Sequence, residues 1–123
     1  MTNPFVKFHF LSMGLLAAFL PNLIGAAPAK LEYNRDIRPI LTENCFACHG
    51  ADSASRKAGL RLDHPEDAVA PRKDSLPAIA PGNPEGSELV HRILNPDPDD
   101  RMPPEETHKI LSAEQKEMLK RWI

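Results

Sequence analysis

"ENCFACHGAD", residues 43–52, decides how the rest of the chain reads. It holds both cysteines of the sequence, Cys45 and Cys48, with His49 directly behind the second. Upstream, Ile37, Ile40, Leu41, Asn44, Cys45 and Cys48 recur at spacings of three and four, one helix face broken only by the polar Asn44. The spacing predicts a helix over about 36–48. Pro39 fits only its first turn, so Asp36 or Arg38 is the expected start, and Gly50 is a natural stop.

Cys-x-x-Cys-His is the attachment signature of c-type haem. Two thiols on one short turn add across the two vinyl groups of the porphyrin edge, and the next residue swings an imidazole over the iron as proximal ligand. Three plainer readings compete. A disulfide between Cys45 and Cys48 needs no histidine. A structural zinc site needs four ligands, yet there is no second cysteine pair, and His64, His91 and His108 are scattered. A thioredoxin-like dithiol expects a preceding strand, where this sequence predicts a helix. The haem reading alone uses all three residues in their order: one haem c, covalently held by Cys45 and Cys48, with His49 on the iron.

Such a haem leaves one axial position. Met102 stands in the polar loop "NPDPDDRMPPEET", stiffened by Pro103 and Pro104, where a lone thioether has little packing reason to be. As a sixth ligand it would raise the redox potential relative to two histidines. Met118 sits at helical spacing with Leu119 and Trp122 and reads as core. His64, His91 and His108 are the competing ligands, with His91 on a helix flank facing solvent. Arg56, Lys57 and Arg61 follow the attachment turn and either lie on a solvated surface or neutralise haem propionates, Arg61 being the candidate contact.

Outward from this centre the chain divides in two. Lys7 is the single Lys or Arg before Lys30, an apolar run follows from Phe10 to Leu20, and the small residues Gly25, Ala26, Ala27 and Ala29 come next. That is the layout of a secretory signal peptide over 1–29, cut before Ala27 or before Lys30. The alternative, an uncleaved anchor, is disfavoured because Pro21 and Asn22 interrupt the run short of the roughly 20 residues a span needs. Export implies an oxidising compartment, the periplasm or cell envelope. The remaining ~95 residues suffice for one small domain over 30–123, of a size that often relies on a cofactor for its core. Without Lys7 that domain has 14 Lys and Arg against 17 Asp and Glu, a charge of −3. Mild acidity gives no case for nucleic acid, which needs a basic face.

Eleven prolines from Pro28 to Pro104 limit regular structure to short pieces. Leu60 and Leu62 alternate as a short strand or extended chain would. A second helix carries Leu89, Val90, Ile93 and Leu94, with Ser87 as its N-cap and Asn95-Pro96 as its end. The third is "LSAEQKEMLKRWI", opened by a Ser112–Gln115 capping box, with Met118, Leu119, Trp122 and Ile123 on its buried side. Trp122 and Leu119 are expected against Ile37 and Leu41. The expected fold is all-α, three or more short helices around a covalent haem, joined by long proline-rich loops.

The segments "YNRDIRPILTENCFACHGADSASRKAGLRLD", "PAIAPGNPEGSELVHRI", "DPDDRMPP" and "LSAEQKEMLKRWI" together resemble the planctomycete-type cytochrome c domain from Tyr33 to Ile123. The resemblance implies a small all-α, class I-like cytochrome c, covalent haem at Cys45 and Cys48, and His49 and Met102 as axial ligands. It also implies an N-terminal place in a larger exported protein. The stop at Ile123 fits a domain truncated at its C-terminus, since the last helix of the family continues further. Lys116 departs from the family, in which an apolar residue is commoner there. The function so implied is one-electron Fe(II)/Fe(III) transfer without catalysis, the partners being redox proteins or following domains of the same polypeptide. The alternative is a sensor, catalytic or structural haem module of a larger exported enzyme.

Overall fold

The computed structural model describes residues 29–123. All but the last residue of the expected leader lies outside them. The chain enters through a wide π-helical turn, Tyr33–Ile37, in which the Arg38 N–H donates to the Tyr33 carbonyl five residues back. Pro39 accounts for that widening. It has no N–H to offer the Arg35 carbonyl, so the i→i−4 ladder that Asp36 N–H opens on the Glu32 carbonyl at 2.8 Å is interrupted there. Helix α1, Arg38–Asn44, follows with Pro39 in its first turn, and α2, Phe46–His49, comes after a break at Cys45 (φ −123°, ψ −41°). The single helix expected over 36–48 is therefore two, and the helical path begins three residues sooner. Asn44 contributes to the break, because its side-chain amide donates to the Ile40 carbonyl at 2.9 Å and so competes within the last turn.

Between α2 and the next long helix lies α3, Pro65–Val69. The sequence reading passed over it, although Pro65 at its start and Glu66 and Asp67 behind it form a helix-opening pattern. Leu60 and Leu62 form no strand: Leu60 N–H closes a turn onto the Lys57 carbonyl, and Leu62 N–H reaches the His49 carbonyl at 2.8 Å. Among the described residues the only β pairing is an isolated bridge between Arg72 and Ser75.

Helix α4 spans Glu88–Leu94. Ser87 stands at its N-cap position but does not cap it. Its hydroxyl accepts from Ala80 N–H and donates to the Asn83 carbonyl, both at 2.9 Å, which ties down the loop before the helix. Ser87 is wholly buried, so these two bonds satisfy a polar group that would otherwise be costly. Leu94, expected in the apolar stripe, is 50% exposed. Helix α5, Ala113–Trp122, has the anticipated capping box, with Ser112 and Gln115 each accepting the other's backbone N–H.

Ile37, Leu41 and Leu119 are fully buried and share one core with Ile40, Leu62, Ile79, Leu89, Ile93 and Leu111. Met118, Trp122 and Ile123 pack against its edge, as does Cys45. The rings of Tyr33 and Trp122 lie 5.6 Å apart at 32°, closing the chain's first turn against its last helix. The described fold is all-α, with five helices and no strand.

Candidate functional site

A helix of four residues leaves all its C-terminal carbonyls without helical partners. In α2 the following loop supplies three of them. Ser55 Oγ donates to the Ala47 carbonyl at 3.0 Å, Lys57 N–H to Cys48 at 2.8 Å, and Leu62 N–H to His49 at 2.8 Å. Arg56 then reaches two more, Nε to the Gly50 carbonyl at 3.0 Å and Nη2 to Ala51 at 2.7 Å. Left-handed Ala58 (φ 51°) and Gly59 (φ 60°) turn this loop back on itself. Residues 51–62 thus grip the Cys-x-x-Cys-His turn along its backbone, leaving its side chains for other work.

Both cysteines are half-buried free thiols. Burial pushes the Cys45 thiol up to about 11, with Lys109 acting weakly against it and Cys48 with it. His49 is half-buried, and burial, helped by the Arg72 charge, holds its imidazole below the usual range. The Lys57 backbone favours the protonated ring, yet without hydrogen-bond geometry: Nδ1 is buried with no partner. A neutral imidazole with one orphaned nitrogen, beside two unbridged thiols on the same turn, is a donor set lacking its acceptor. An unmet buried group of this kind costs about 1–3 kcal/mol. The residues fit a haem taken covalently by the thiols and axially by the imidazole. Among the described residues no three His, Cys, Asp or Glu side chains converge on a cation site, so the zinc reading has no support there.

Met102 lies half-buried on the loop after α4. Its N–H donates to the Arg92 carbonyl at 3.0 Å, and Arg92 is itself fixed by Glu88 at 2.7 Å and Asp100 at 3.1 Å. Downstream of that loop, Lys109 Nζ donates to the Glu43 carbonyl, two residues before Cys45. The segment carrying Met102 is therefore tied to α4 before it and, through Lys109, to the last turn of α1 after it. Met118 packs on the core edge. The competing histidines have surface partners: exposed His64 meets Glu66 and Asp67 at 3.2 Å, and exposed His91 meets the Glu85 carbonyl at 2.8 Å. His108 is exposed in a left-handed turn.

Arg61 pairs with a carboxylate two residues on. Its Nε and Nη2 take both oxygens of Asp63 at 3.1 and 2.8 Å, holding that carboxyl below its usual range. Sequence reasoning passed over Arg56 as a backbone clamp, along with Lys109 and Arg72. For Arg72 and Lys109 the signal it lacked was long-range: they reach the Ala58 and Glu43 carbonyls, 14 and 66 residues back, along a path that no periodicity reveals.

Residues 45–106 match a family model described as planctomycete cytochrome C. The chain belongs to that family. No curated protein and no solved structure matches it. The family implies haem c, and Cys45, Cys48, His49 and Met102 all fall inside the matched stretch. A c-type cytochrome domain with an all-α fold agrees with the five helices described above.

Proposed function

We propose that this chain is a haem c-binding electron-transfer domain of the cell envelope. Cys45 and Cys48 would hold the haem covalently, and His49 and Met102 would ligate its iron. One observation carries the reading: the buried, unpartnered Nδ1 of His49 beside two free thiols on a single turn, within a cytochrome family match. When bound, the haem supplies one-electron Fe(II)/Fe(III) chemistry. The chain's own part is to hold it. The two thiols fix one ring edge, His49 offers a neutral nitrogen, Met102 offers a soft sulfur from an anchored loop, and the 51–62 loop keeps the turn rigid. Two ligands from the chain would leave the iron no site for a substrate, which favours a carrier over an enzyme.

Its partners are redox proteins or following domains of the same polypeptide, with no nucleic acid. Export through the leader over 1–29 delivers it to the periplasm or envelope. Among the described residues no helix is long and apolar enough to cross a membrane.

Expression with haem-attachment machinery, followed by pyridine haemochrome spectra and intact mass, tests this. The wild type is expected to gain one haem covalently, and Cys45→Ser to show the spectrum of a single thioether or no haem. A wild type with bare peptide mass overturns the reading. Prompt carbon monoxide binding by the ferrous form would replace the carrier with a sensor or catalytic module.

A further inference from the structure

The loop between α4 and α5 reaches α1 through one side chain. Lys109 is half-buried, and its Nζ donates to the carbonyl of Glu43, in the last turn of α1. Carbonyls in that turn have no partner within the helix, and the negative end of a helix favours a cation. Among the described residues no other hydrogen bond or ion pair joins residues 95–110 to α1 or α2. The next residue, Ile110, is 89% exposed, so no packing of its own holds this stretch down.

Between Lys109 and Met102 the chain is folded on itself. Thr107 donates twice to the Pro104 carbonyl, its N–H at 3.0 Å and its Oγ1 at 2.7 Å, and Oγ1 accepts the Lys109 N–H at 3.4 Å. Pro103 alone separates Pro104 from Met102, and both prolines have a fixed φ. Where Lys109 is held therefore decides, through few free torsions, where Met102 stands. On its other side the Met102 N–H is fixed to the Arg92 carbonyl at 3.0 Å. The loop thus has one foot on α4 and another on α1, two residues before Cys45. Without the second foot, residues 103–110 would run unsupported from the first one to buried Leu111.

We propose that Lys109 is a positioning residue for the second axial ligand: its bond to α1 keeps the loop closed, so that the Met102 sulfur stays on the iron. The proposal rests on the reading of Met102 as a ligand given above.

The test uses covalent holoprotein of wild type, Lys109→Met, Lys109→Arg and, as a control at an exposed lysine, Lys73→Met. Each is titrated with urea while the ferric sulfur-to-iron charge-transfer band and the helical circular dichroism are followed together. Carbon monoxide binding by the ferrous form, which waits on departure of the sulfur, is timed separately. Loss of a hydrogen bond from a charged donor is enough to raise an open population about tenfold. Lys109→Met keeps the length of the side chain and donates nothing. It is expected to bind carbon monoxide roughly tenfold faster than wild type, and to lose the band at urea concentrations that leave its helices intact. Lys109→Arg, which still donates, restores most of both. Lys73→Met changes neither.

A purely structural lysine would lower the band and helix midpoints together, and that outcome overturns the proposal, as does wild-type carbon monoxide binding in Lys109→Met. If Lys109→Met fails to mature, Thr107→Val decides by the same two readings, since it loosens the turn and leaves the lysine in place. A wild type without the charge-transfer band overturns the reading of Met102 as a ligand and this proposal with it, and is told apart because it shows before any variant is made.

Discussion

A methyl group placed on the Cα of Gly50 would lie 2.3 Å from the carbonyl oxygen of Phe46. The chain leaves α2 at Gly50 by turning tightly over the start of that short helix, and Gly50 is buried there. Its φ of −128° is open to any residue, so the constraint is the close approach rather than the backbone angle. The obstacle is backbone, which cannot swing aside as a flexible side chain would. Gly50→Ala is therefore expected to displace the turn just behind His49. Stability should fall by about 2 kcal/mol or more, within the range for strained backbone sites. Thermal melting and the yield of covalent holoprotein measure it. A variant that matures and melts like wild type would mean that the turn is free to relax.

Arg56 holds the two carbonyls that follow His49, and both bonds come from a single charged fork. Hydrogen bonds to charged groups are worth about 1.5–3 kcal/mol when partly buried. Arg56→Ala is expected to destabilise the domain by about 1–3 kcal/mol, and Arg56→Lys, with a single point of contact, by less. Chemical denaturation of the two variants measures the difference. Equal losses would show that only the charge matters.

Features of this fold are legible in the sequence to the extent that they are local. The Ser112–Gln115 box and the stop at Asn95-Pro96 each act within four residues, and each is found in the described fold. Ser87 was misleading for the opposite reason. It occupies the right place before α4, but Ala80 and Asn83, brought close by the preceding loop, take its hydroxyl first. Arg61 and Arg72 look alike on the page. Only the fold shows that Asp63 neutralises one and that nothing anionic meets the other among the described residues. Helix α3, at five residues, is shorter than the window over which periodicity speaks.

Burial raises the Cys45 thiol to about 11 from an ordinary 9.0. The thiolate is the reactive form, so the folded apoprotein should hold about a hundredfold less of it at Cys45 than the unfolded chain does at one pH. Iodoacetamide labelling near pH 8, resolved by peptide mass, is expected to be slower at Cys45 by about that factor in the fold than in urea. The linkage has a sign. The folded state favours the neutral thiol, so the stabilisation is complete below the unfolded value near 9.0 and is lost as pH rises toward about 11. Equal labelling in both states would place Cys45 in the open.

Asp36 holds the first turn together. Its Oδ2 accepts the Glu32 N–H at 2.7 Å, and both of its oxygens take the Arg35 guanidinium at 2.7 and 2.8 Å. The Arg35 hydrogen bonds, with that of Glu32, hold the carboxyl at about 2, down from 3.8. A depressed carboxyl contributes stability above its unfolded value and loses it as pH falls through the folded one. The acid limb of stability between about pH 4 and 2 should therefore be shallower in Asp36→Asn than in wild type. Parallel limbs would mean that solvent screens this carboxyl fully.

Met102 is anchored by its backbone, through its N–H on the Arg92 carbonyl, and not by its thioether. Arg92 is in turn braced by Glu88 and Asp100, and Pro103 and Pro104 stiffen the chain just after the methionine. Truncating the side chain should leave the loop in place, so its consequences report on the sulfur itself. In the holoprotein, Met102→Ala is expected to lose the ferric sulfur-to-iron charge-transfer band, to lower the reduction potential and to open the ferrous iron to carbon monoxide. Its melting temperature should fall by only a few degrees, on the order of 1 kcal/mol for a domain of this size. Met118→Ala should do the reverse, weakening the edge of the core against which it packs while leaving the band unchanged. If the band survives in Met102→Ala and disappears in Met118→Ala, the two methionines exchange roles, and the loop after α4 no longer belongs to the haem site.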